Sequence, residues 1–127
     1  MICPYTSRFN VYRCPDDRST YPLSGGQPRV RSMSMNSWTN PISSWNDTGR
    51  HYPPSSPNRL KEFRKQSDLN GIGFPMAWVF IDENPWGIND AFFVCGPNRQ
   101  VWIDIPASYH NGACAISFAD GHAEIMK

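Results

Sequence analysis

Twelve prolines and nine glycines punctuate 127 residues, and that punctuation decides what the chain can fold into. Proline lacks an amide proton and fixes φ, while glycine weakens regular segments, so few stretches can hold a helix of ordinary length. The apolar residues point the same way. Leucine occurs only as Leu23, Leu60 and Leu69, whereas Ile, Val, Phe, Trp and Tyr recur throughout. Branched and aromatic side chains suit a pleated, half-buried surface. A chain of 127 residues is expected to form one domain, burying about two-thirds of its unfolded surface. Its Leu, Ile, Val and Phe content lies near the border of disorder. Low charge and five tryptophans favour a packed domain, because each aromatic buries a large area. A net charge of +1 with interspersed signs gives no footprint for nucleic acid or an anionic membrane.

Two unlike halves follow. Residues 1–58 are rich in Pro, Ser, Asn and Gly, and only Val30 to Met35 alternates well enough for a strand. One helix is expected over 59–67: Ser56 can cap it, Pro57 takes the first helical position, and Leu60 and Phe63 share a face. Its basic residues Arg59, Lys61, Arg64 and Lys65 read as a solvated face, with a basic docking patch as the alternative. Over 76–127 strands are expected at Ala77–Ile81, Ala91–Cys95, Val101–Ile105, Cys114–Phe118 and His122–Met126. Short turns separate them, so the fold class is α+β, mostly β, with a C-terminal antiparallel meander. No internal repeat, phosphate loop, dinucleotide fingerprint or nucleophile elbow is present.

The closing segment from His110 to Lys127 reads as a β-hairpin. A two-residue turn at Asp120-Gly121 would pair Phe118 with Ala123 and Ser117 with Glu124. Ser117, His122 and Glu124 then share one face, and Cys114, Ile116, Phe118 and Ile125 share the core face. A hydroxyl, a base and a carboxylate together allow a nucleophile triad of Ser117, His122 and Glu124, although a half-exposed hairpin shows the same polar face.

His110, nine residues and then Asp120-Gly121 also resemble the C-terminal signature of the H-X9-DG, prepilin-type processing-associated proteins. These are pseudopilin-like proteins abundant in Verrucomicrobia and Planctomycetes. Cys14-Pro15-Asp16-Asp17, Arg31 to Trp38, Phe80 to Asn84 with Ile88 to Asp90, and Trp102 to His110 resemble segments that accompany it. The resemblance covers most of the chain from about residue 14. It implies a pseudopilin-like globular head related to type II secretion, periplasmic or extracellular, meeting other pseudopilin subunits. The sequence shows no apolar run near the roughly 20 residues of a spanning helix and no charged-then-apolar leader, so it is expected to correspond to the head alone.

In an exported domain, four cysteines suggest disulfides. Three pairings of Cys3, Cys14, Cys95 and Cys114 exist; Cys3–Cys14 and Cys95–Cys114 are favoured, with buried free thiols as the alternative. Asp82, Glu83, Asn84, Asn89 and Asp90 crowd oxygens between two apolar strands, which suits Ca²⁺. The pseudopilins this chain resembles often carry that ion in a C-terminal loop. The expected metal ligands are therefore Asp82, Glu83, Asn89 and Asp90. The other reading of those residues is turn formation with solvated carboxylates. A second candidate set is His110, Asp120 and His122, although an extended strand between them would hold His110 and Asp120 apart.

Three functions are thus expected from the sequence. The first is a pseudopilin-like component stabilised by calcium. The second is a metal-dependent hydrolase of small esters or lactones, such as acyl-homoserine lactones, on the same scaffold. The third is a surface-binding module that uses Trp38, Trp45 and Trp86.

Overall fold

The computed structural model describes residues 6, 8–39, 62–94 and 102–127. Its strands are β1 (Thr20–Tyr21), β2 (Gln27–Pro28), β3 (Met33–Asn36), β4 (Trp78–Asp82), β5 (Phe92–Phe93), β6 (Cys114–Phe118) and β7 (Ala123–Met126). Short 3₁₀ segments lie at Phe9–Tyr12, Pro22–Ser24, Gln66–Gly71 and Phe74–Met76. The domain is therefore strand-dominated, as its composition implies, and its helical parts are short.

β1 and β2 form a small antiparallel ribbon, and the other strands form one sheet in the order β5-β3-β4-β6-β7. Only part of the expected meander survives. β4, β6 and β7 are antiparallel neighbours, but β3 from the loop-rich half inserts beside β4, and β5 lies parallel to β3 at the far edge. The expected strand at Val101–Ile105 is irregular over its described residues; Asp104 instead turns its carboxylate onto the Val94 amide at 2.5 Å.

The helix expected over 59–67 is also corrected. Its first residues lie outside the described set, and 62–65 are not helical; Phe63 instead bridges Thr39. The 3₁₀ turn begins at Gln66, where the Asp68 carboxylate accepts the Arg64 and Lys65 amides at 3.0 and 3.2 Å. A nearby acceptor for free amides thus fixes the start of this turn; Ser56 and Pro57 lie outside the described residues.

The core is small. Ile81, Phe93 and Cys114 are buried together, with Trp78 and Ile116 packed against them. Trp78 meets Phe93 edge-on at 6.0 Å, a favoured aromatic geometry. Among the described residues, buried polar side chains are as prominent as apolar ones, so hydrogen bonds tie the connections down. The Asn36 amide donates to the Trp78 carbonyl at 3.1 Å and its oxygen accepts the Trp38 amide at 3.0 Å. Trp38 is buried and Trp86 is almost fully exposed, which divides the expected tryptophan surface; Trp45 lies outside the described residues.

The final hairpin differs in register by one residue. Ser117 pairs with Ala123 and Ile116 with Glu124, because three residues, not two, form the loop. Phe118 and His122 face each other across it, and Gly121 at φ 95° occupies the left-handed position such a loop needs. The slip moves every partner to the other face. Glu124 and His122 join Ile116 and Phe118, and Ser117 parts from both, so the expected triad does not assemble. Ile125, expected in the core, is exposed.

Candidate metal centre

Cys14, Asp82 and His110 arrive from three distant segments, each held by its own local device. Cys14 opens a turn closed by the Asp17 amide donating to the Cys14 carbonyl at 3.0 Å, with Pro15 at the position that favours its fixed φ. The Cys14 amide donates to the buried Ser32 hydroxyl at 2.6 Å, which anchors this turn against the chain entering β3. Asp82 ends β4, where alternation sends its side chain to one face and that of Glu83 to the other. His110 precedes Asn111-Gly112, whose φ values of 53° and 82° build a tight two-residue turn of the kind that Asn-Gly favours. His110 and Ala113 exchange both backbone hydrogen bonds across it, at 3.1 and 3.2 Å.

The three side chains meet closely. His110 Nε2 lies 3.4 Å from Cys14 Sγ and 3.3 Å from Asp82 Oδ2, and the three donor atoms all fall within 4.8 Å of one another. With zinc bonds near 2.0–2.3 Å, tetrahedral ligands should be about 3.3 Å apart for N and O and about 3.6 Å for N and S. The observed separations match those edges. Cys14 and Asp82 are buried and His110 is half-buried.

The opposite edge of His110 is fixed as well. Nδ1 lies 3.3 Å from Asp16 Oδ2, the carboxylate–imidazole arrangement that orients metal-binding histidines and sets the tautomer. A proton held on Nδ1 beside Asp16 would leave the Nε2 lone pair for a metal ion shared with Cys14 and Asp82. Burial pushes the Cys14 thiol up, helped by the nearby Asp82 and Asp16 charges and opposed by hydrogen bonds from the turn amides. Burial likewise raises Asp82, against the lowering effects of the Ala115 amide and His110. A divalent cation would reverse both penalties, since it favours ionised ligands. Tyr109 sits alongside, its hydroxyl donating to the Glu83 carbonyl at 3.2 Å; burial, then the charges of Asp17 and Asp82, keep that phenol neutral.

The residues expected to share calcium do not share a site. Asp82 belongs to the cluster above. Glu83 is fully buried and accepts a short hydrogen bond from Ser34. Asp90 accepts the Phe92 amide at 2.8 Å, and Asn84 accepts the Trp86 amide at 3.0 Å, both as turn formers. Asn89 lines a separate cavity. Calcium is thereby corrected: a thiol–imidazole–carboxylate set suits zinc-like ions, whereas calcium takes six to eight oxygens. The second candidate set is divided too. His110 is at the start of the closing segment, while Asp120 pairs with His122 at the hairpin tip, and His122 Nε2 lies 3.5 Å from Glu124. His122 stacks flat on Phe118 at 4.3 Å.

The expected disulfides are corrected as well, because Cys14 and Cys114 are buried free thiols. Cys3 and Cys95 lie outside the described residues. Counting Cys14 into a bridge is what hid it as a ligand. The available signal was positional: Cys14, Asp82 and His110 each sit in a different one of the segments that stood out in the sequence.

No protein-family model, curated protein or solved structure matches this chain. Function therefore rests on the chemistry of the cluster. Among the described residues, no helix is long and apolar enough to cross a membrane.

Proposed function

We propose that the chain is a metal-dependent hydrolase of small esters or lactones, with one zinc-type ion held by Cys14, Asp82 and His110. The convergence of thiol, imidazole and carboxylate, with His110 at tetrahedral-edge distance from both other ligands, carries this reading. The three protein ligands found among the described residues would leave one position for water or substrate, the make-up of catalytic rather than structural zinc sites. When bound, such an ion lowers the pKa of its water towards neutrality and polarises a carbonyl. The protein's own groups do the positioning. Asp16 lies 3.3 Å from the outer edge of the His110 ring, and the Ala115 amide steadies Asp82 at 3.3 Å. Acyl-homoserine lactones fall within this substrate class.

The test is hydrolysis of p-nitrophenyl acetate and of γ-butyrolactone by chelator-stripped and zinc-reloaded protein. Activity should return with zinc and be lost in His110→Gln and Cys14→Ser. Zinc binding without turnover removes the hydrolase and leaves a structural centre. Turnover that survives both stripping and His110→Gln removes the proposed site.

A further inference from the structure

A second binding site lies apart from the metal cluster. Tyr21, Ser24, Gln27, Arg29, Arg31 and Ile88, with their neighbours, line an open cleft of about 390 Å³, within the range of small-molecule pockets. The β1–β2 ribbon forms one wall, since Tyr21 pairs with Gln27. The turn before β5 forms the other, and Arg29 ties the two walls by donating to the Pro85 carbonyl at 2.8 Å.

Charge sets the ligand class. Two guanidiniums line the cavity and no carboxylate does. Arg29 donates to a carbonyl and lies over the Tyr21 ring at 5.5 Å. Arg31 donates to the Met33 carbonyl and the Ser34 hydroxyl at 3.3 and 3.1 Å. Neither forms an ion pair, among the described residues; burial disfavours the Arg31 charge most, Glu83 and Asp90 attract it, and Arg29 repels it more weakly. A guanidinium has five donors in a fork that matches carboxylate and phosphate oxygens, so both keep unused donors. Tyr21, Val30 and Ile88 add an apolar lining beside this charge.

We infer that this cavity binds a small organic anion, with its acid group between Arg29 and Arg31 and its apolar body against Tyr21, Val30 and Ile88. Ser24, Gln27 and Asn89 supply neutral hydrogen-bonding groups at the rim.

The test is calorimetric titration of the intact chain in chelator, so that the metal centre plays no part. Benzoate and phenyl phosphate are the two acid probes, and benzyl alcohol and inorganic phosphate are the controls. At least one acid probe should bind tenfold or more tightly than both controls. Arg29→Gln should weaken it by tenfold or more. Val30→Glu, on an exposed side chain that the fold does not need, should do the same by placing a negative charge at the mouth. Benzoate binding alone identifies a carboxylate site, and phenyl phosphate alone a phosphate-ester site. Acid probes no tighter than benzyl alcohol overturn the charge argument. Inorganic phosphate binding as tightly as phenyl phosphate overturns the apolar half. Wild-type affinity in both variants overturns the location.

Discussion

Glu83→Gln should stabilise the protein in alkaline solution and do little in acid. The Glu83 side chain is wholly buried, with one carboxylate oxygen on the Ser34 hydroxyl and the other without a hydrogen-bond partner. Gly87 leaves the space for that second oxygen, since a Cβ there would come within 3.3 Å of it. Burial is the chief cause that pushes the carboxyl from 4.5 up to about 7. Between those values the folded chain holds the proton more tightly than the unfolded one, so stability falls as pH rises and the full loss is present above 7. Each tenfold change in proton affinity corresponds to about 1.4 kcal/mol, which makes the ionised form cost about 3 kcal/mol at pH 8.5. At pH 5 the cost shrinks to under about 1 kcal/mol. Glutamine keeps an acceptor for Ser34 and carries no charge. Thermal melts in chelator should therefore show a gain on the order of 10 °C at pH 8.5 for a chain of this size, and a much smaller one at pH 5. Equal shifts at both pH values, or a loss at pH 8.5, would refute the argument.

Three further outcomes follow from the packing. Phe93→Ala should destabilise by about 3–5 kcal/mol in urea titration, because the ring is buried at the centre of the core and contacts Trp78; a loss under about 1 kcal/mol would show the core lies elsewhere. Gly112→Ala, at φ 82°, should cost about 1–2 kcal/mol of stability and also weaken zinc binding by displacing His110. Cys14 and Cys114 should resist alkylation in the native protein and react fully once it is denatured without reductant, as mass spectrometry of the labelled peptides would read; a peptide still linked to either one would restore a disulfide.

The strand-rich character was legible, because scarce leucine and abundant aromatics act through local preference. β6 spans the residues its alternation predicts, and β4 and β7 differ from expectation by one residue. Pairing was less legible. The parallel β3–β5 contact joins segments more than fifty residues apart, and no turn signal announces it. The hairpin slipped because Asp-Gly serves two-residue and three-residue loops alike; Phe118 stacking on His122 accompanies the longer one. In the candidate site, Asn111-Gly112 was a legible turn, yet its effect was to aim His110 at Asp82. Asp82 read as one of several loop acids because burial is invisible in a string of letters. Only folding separates it from Glu83, which turns to the opposite face. Cys14 drew its meaning from a partner ninety-six residues away, a distance at which spacing carries no information.

The central claim is tested most directly by titrating chelator-stripped protein with cobalt(II), then displacing it with zinc. One tight equivalent should bind, release protons, and produce a thiolate-to-cobalt charge-transfer band with tetrahedral visible absorption. Cys14→Ser should abolish the band, and Asp82→Asn or His110→Gln should weaken binding strongly. Asp16→Asn should keep the band while lowering affinity about 10- to 100-fold, as loss of an orienting carboxylate does. Binding without a thiolate band, or unaltered binding in Cys14→Ser, Asp82→Asn and His110→Gln, would contradict the account.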